Sequence, residues 1–94
     1  MMQDNSMTLI YEESYSMSYI PIPDGSILDN FEFYRVINKR KVYTNTKKSR
    51  FYSWDELHGE VEVFDANGFH LGALDPMTGK LIKDAVKGRT LNVR

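Results

Sequence analysis

The alternation of apolar and polar positions changes character about a third of the way along the chain. Residues 1–19 are rich in Met, Ser and Tyr and follow neither a helical nor a strand period. They read as a linker or poorly ordered lead-in, holding at most a turn or two of helix. In residues 20–28 a Pro-Asp-Gly-Ser turn separates short apolar pieces. Pro21 and Pro23 lack the N–H that a ladder needs, so this segment can only border a sheet. From Phe31 onward the period is two. Phe33–Ile37, Lys41–Thr44, Arg50–Trp54, Glu60–Phe64, Phe69–Leu74 and Lys80–Lys83 read as strands, each bounded by turn-forming residues. Asn67-Gly68 is a short-range hairpin signal, and Asp75-Pro76-Met77-Thr78-Gly79 turns the chain again. The fold expected is mainly β, a single highly twisted antiparallel sheet of about five or six strands. Residues 1–30 would form an acidic lead-in and residues 31–94 the folded domain.

At 94 residues the chain has room for one modest core. With no cysteine, neither disulfides nor thiolate metal sites can support it. No apolar run approaches the roughly 20 residues of a membrane span, and no basic stretch followed by an apolar block marks a secretory leader. The net charge of −1 conceals an asymmetry. Residues 1–34 hold six acids (Asp4, Glu12, Glu13, Asp24, Asp29, Glu32) and no Lys or Arg; residues 35–94 hold all 12 basic residues against seven acids. A clustered positive field attracts polyanions, so the second part raises the question of a nucleic-acid partner. In its first stretch Arg35, Lys39, Arg40, Lys41, Lys47, Lys48 and Arg50 interleave with Tyr34, Tyr43, Phe51, Tyr52 and Trp54. Cations suit phosphates and aromatic faces suit unstacked bases, although the same rings could simply be core.

The chemistry concentrates in Trp54-Asp55-Glu56-Leu57-His58-Gly59-Glu60-Val61-Glu62. If a strand begins near His58, then His58, Glu60 and Glu62 project from one face. Placing like charges together is costly, and one reason to tolerate the cost is to shift a pKa for catalysis. RNA cleavage needs such a set: a base for the ribose 2′-hydroxyl, an acid for the departing 5′-oxygen and a cation for the phosphate. Two other readings stay open, metal ligation by Asp, His and two Glu, and the wet face of a half-buried sheet. His70 reads as structural. A two-residue Asn67-Gly68 loop pairs Asp65 with His70 and Glu62 with Ala73, which puts His70 on the sheet face opposite to that of His58; one β-bulge would reverse that.

Tyr52-x-Trp54-Asp55-x-x-His58-Gly59-Glu60-x-Glu62, followed by Gly68-x-His70-Leu71-Gly72-x-x-Asp75-Pro76-x-Thr78-Gly79 and then by Lys83 and Arg89, resembles the cytotoxic domain of the ribosome-inactivating colicins and cloacin. Relatives of that domain also end contact-dependent growth inhibition toxins. The resemblance implies a metal-independent endoribonuclease, with no cofactor, that cuts small-subunit (16S) rRNA in the decoding centre. It implies Glu62 as general base, His58 as acid or electrostatic partner, Asp55 as the carboxylate orienting that histidine, and Arg89 as the cation at the phosphate. Tyr52, Glu60 and Lys83 fall on positions that support the site or hold RNA. Trp54, Phe64, Arg40, Lys48 and Arg50 complete the expected RNA-contacting set. Phe64 stands where the colicin members carry a tyrosine, so stacking alone survives there. The 30S subunit is the expected target and an acidic immunity protein the expected protector. The domain is expected to be a monomer without membrane contact, delivered within a larger secreted or cell-surface toxin and acting in the target-cell cytoplasm. The alternative from another class is a non-catalytic β-sheet RNA-binding or ribosome-associated module.

Overall fold

The computed structural model describes residues 19–94, so all of the expected lead-in over residues 1–19 except Tyr19 lies outside the described residues. Six strands follow in chain order: β1 (Glu32–Ile37), β2 (Arg40–Thr44), β3 (Arg50–Asp55), β4 (Glu60–Asp65), β5 (His70–Leu74) and β6 (Leu81–Asp84). They form one antiparallel sheet in which each strand lies beside its sequence neighbours. The mainly-β, single-sheet expectation holds. Short polar links leave a hairpin as the only economical connection, and a meander results. Ahead of the sheet, Ile27–Asn30 make one 3-10 turn, capped by Ser26, whose Oγ accepts from the Leu28 N–H at 3.2 Å. Among the described residues there is no α-helix.

Alternation along β3 sends Tyr52 and Trp54 to one face and Phe51, Ser53 and Asp55 to the other. The first face holds a core of Leu28, Tyr52, Trp54, Val61 and Val63. Phe31 stacks on Tyr52 with ring centroids 3.9 Å apart, and the Trp54 indole donates to the Ile20 carbonyl at 2.7 Å. Residues 20–31 thus cover this face, with Leu28 buried at its centre. The second face holds Val42, Phe51, Phe64, Leu91 and Val93. Each large side chain so buried stabilises the fold by about 1.5–3 kcal/mol, which gives a small, cysteine-free chain a core on either side of its sheet.

Leu91 and Val93 belong to a terminal strap, residues 85–94, that runs back across the second face. The His70 N–H donates to the Arg89 carbonyl at 3.0 Å and the Leu91 N–H to the Gly68 carbonyl at 2.8 Å. At the far end the Tyr34 hydroxyl donates to the Val93 carbonyl at 2.6 Å. Gly68 is irreplaceable on two counts. Its φ is +87°, and a Cβ there would lie 1.9 Å from the Leu91 carbonyl oxygen. This close approach fixes where Arg89 leaves the backbone.

The β4–β5 hairpin corrects the expected register of His70. The chain closes between Asp65 and Phe69, whose backbones bond at 2.9 Å, so the loop has three residues, Ala66 to Gly68. Asp65 Oδ1 accepts from the Asn67 and Phe69 N–H groups, each at 2.9 Å, and Gly68 takes the left-handed position that a three-residue loop requires. His70 consequently pairs with Phe64, not with Asp65, and faces the same side as Glu62. A bulge then restores the expected Glu62–Ala73 pair.

Candidate active site

Strand β4 begins at Glu60, as the alternation predicts, and not near His58, so His58 does not share a strand face with Glu60 and Glu62. It sits in the β3–β4 turn instead, and Asp55 builds that turn. Asp55 Oδ1 accepts from the Leu57 and His58 N–H groups at 3.1 and 3.2 Å. Gly59, at φ +68°, closes it with its N–H on the Asp55 carbonyl at 2.8 Å. The other oxygen, Oδ2, takes His58 Nδ1 at 2.8 Å. One carboxylate therefore shapes the loop and orients the ring. Burial pushes the Asp55 carboxyl up, but hydrogen bonds from the His58 ring and from the His58 and Leu57 backbone outweigh it and hold the group below its ordinary value. The His58 side chain is 61% exposed, and with Nδ1 committed to Asp55 its Nε2 is left for a substrate.

Glu62 lies in the middle of β4, its side chain only 8% exposed. His70 Nε2 reaches Glu62 Oε1 at 2.6 Å, and Arg89 Nη1 lies 3.2 and 3.4 Å from the two carboxylate oxygens. The Val86 N–H donates to His70 Nδ1 at 2.9 Å. A nitrogen that accepts carries no proton, so His70 is the Nε2–H tautomer and donates to Glu62. Phe64 packs edge-on against the His70 ring at 5.3 Å. Glu60, at the start of β4, pairs with Lys83 Nζ at 3.0 Å.

These groups line one cleft of about 560 Å³ that Arg40 and Ser53 also border. The structure thus brings together Asp55, His58, Glu60, Glu62, Phe64, Lys83, Arg89 and Arg40. It does not bring in Tyr52 or Trp54, expected to support the site or hold RNA: both project from the opposite face, where they are core. Burial pushes the Tyr52 phenol up, against a smaller opposite pull from Arg50. Arg50 lies at the far end of β3, about 17 Å along the strand from Asp55, and Lys48 in the turn that precedes it. Sequence reasoning missed His70 as a site residue. The available signal was Asp65-x-Asn67-Gly68, which suits a three-residue loop and so reverses the facing of the first residues of β5.

A metal would find Asp55, His58 and Glu60, whose donor atoms lie within 4.8 Å of one another. All three residues are already engaged, Asp55 and His58 with each other and Glu60 with the Lys83 ammonium. A carboxylate, an imidazole and a guanidinium also border the same concavity, a set able to transfer protons beside a phosphate.

Residues 37–92 match the protein family described as Cytotoxic. Over 46 residues the chain is 50% identical to cloacin and 48% identical to colicin E3, both of Escherichia coli. Colicin-E6 of the same organism is 41% identical over a segment of equal length. Each match covers 48% of this chain and 8% of the relative.

Proposed function

Because the chain belongs to the Cytotoxic family, we propose that it is a toxin endoribonuclease that cuts 16S rRNA in the decoding centre and stops translation. The observation that carries this reading is the Glu62 carboxylate held by His70 and Arg89 in the cleft that the Asp55-bound imidazole also lines. Glu62 takes the proton of a ribose 2′-hydroxyl, whose oxygen attacks the adjacent phosphorus. His58, protonated and oriented by Asp55, gives a proton from Nε2 to the departing 5′-oxygen. The bond to that oxygen breaks, leaving a 2′,3′-cyclic phosphate and a free 5′-hydroxyl. Arg89 turns from Glu62 to the phosphate as negative charge grows there. Every proton and electron pair is accounted for by the chain and the RNA, so the proposed reaction is metal-independent.

Lys83 and Arg40 rim the cleft and would guide the RNA backbone toward it, with Glu60 holding the Lys83 ammonium in place. The partner under this reading is the 30S subunit. An acidic immunity protein would shield the producing cell, and delivery would be as part of a larger toxin acting in the target-cell cytoplasm. Purified protein added to intact ribosomes, followed by primer extension across the A site, tests the proposal. A single new RNA end that persists in EDTA is expected. A shifted but uncut RNA would instead favour a non-catalytic ribosome-binding module, and cutting abolished by EDTA a metal-dependent nuclease.

A further inference from the structure

Ser53 is 1% exposed, and its Oγ has no hydrogen-bond partner among the described residues. A buried hydroxyl left without a partner is destabilising, and alanine in its place would be free of that penalty. The other such atom, Arg35 Nε, belongs to a guanidinium already engaged with the Arg94 carbonyl and the Tyr34 ring. Ser53 has no comparable anchor. It does have a telling neighbour, because it stands directly opposite Glu62 in the β3–β4 register and borders the same cleft. The Cβ atoms of such a pair lie about 4.5–5.5 Å apart, on one face.

The two donors that Glu62 has in the free protein are not equally tied. His70 is buried and held from behind by the Val86 N–H. Arg89 is half exposed and reaches the carboxylate at the long distances of 3.2 and 3.4 Å. When Arg89 leaves for a phosphate, Glu62 Oε2 loses its partner while Oε1 keeps His70. We propose that Ser53 is a positioning residue whose hydroxyl rotates to donate to Glu62 as Arg89 departs, so that the carboxylate stays aimed at the 2′-hydroxyl. The serine proton is shared, not transferred. This inference rests on the roles proposed for Glu62 and Arg89 in RNA cleavage.

A double-mutant cycle with two readouts tests it. In the wild-type background Ser53→Ala should leave the Tm unchanged or raise it, because the hydroxyl is idle there. In an Arg89→Ala background the hydroxyl already serves Glu62, so the same substitution should lower the Tm. On ribosomes, Ser53→Ala should cut kcat about tenfold, the low end of what a positioning hydrogen bond contributes, with KM within twofold, and Ser53→Cys should recover part of the loss. Equal Tm effects in the two backgrounds would overturn the proposal, as would a Ser53→Ala enzyme cutting within twofold of wild type. A wild-type protein that leaves ribosomal RNA intact would overturn the underlying reading as well, which separates the two failures.

Discussion

Asp55–His58 and Glu62–His70 are both pairs of a carboxylate and an imidazole bordering one cleft, and they are built to opposite ends. In the first the carboxylate is buried and the ring is exposed. Asp55 is pinned by its own loop and takes Nδ1, which frees Nε2 to exchange a proton. In the second the ring is the more buried partner, at 1% exposure, and both its nitrogens are occupied, one by the Val86 N–H and one by Glu62. That histidine can hold but cannot deliver. Under the proposed mechanism the acid–base work of each pair therefore falls to the imidazole in the first, through its free Nε2, and to the carboxylate in the second, once the loosely held Arg89 turns away. Which group lies behind the ring decides the role.

The largest effect is expected at Glu62, the carboxylate of the second pair. Glu62→Gln keeps shape and most contacts but removes the proton acceptor, so cleavage should fall by about two to four orders of magnitude with the circular dichroism spectrum unchanged. Normal cleavage by this variant would transfer the base to Glu60 or Asp55. Next come the two histidines, which should separate cleanly. His58→Ala should lose about a hundredfold in rate and less stability than His70→Ala, because only Asp55 Oδ2 loses a partner while Oδ1 keeps its two backbone donors. His70→Ala should lose about 1–3 kcal/mol in denaturant unfolding, since Glu62 and the Val86 N–H both lose a buried partner. Equal stability losses for the two would mean that the pairs do not divide holding from proton transfer in this way.

The smallest effect expected is on the pH dependence of stability. Hydrogen bonds depress the Asp55 pKa below its ordinary 3.8 in the folded state. The unfolded chain then binds more protons in the window between the two values, so the stability Asp55 contributes is present above about 3.8 and is lost as pH falls through the lower folded value. Wild type and Asp55→Asn should accordingly differ most near neutrality and converge in strong acid. A gap that persists unchanged at low pH would show that the charge on Asp55 is not what stabilises the turn.

Most strands were readable because a two-sided sheet writes a period of two into its sequence, and the ends of β1, β2 and β3 fall within a residue of expectation. The covering role of Leu28 was not readable, because a residue that caps a face from outside the sheet follows no period. Tyr52 and Trp54 were ambiguous for a related reason. Aromatic rings serve cores and RNA equally well, and only knowing that residues 20–31 cover their face settles which they do here.

Alternation and turn chemistry are local properties, and they were enough to dictate an antiparallel sheet with acids and a histidine gathered near the β3–β4 turn. The family motif added that Arg89 belongs with Glu62, a pairing that no local rule could reach. That His70 joins them is a product of the folded chain. A loop of three residues in place of two turns its side chain over, and the strap anchored on Gly68 sets Arg89 and the Val86 N–H against the site. Facing and long-range approach depend on how many residues a turn spends and on what crosses behind it, and neither is a property of any single stretch of chain.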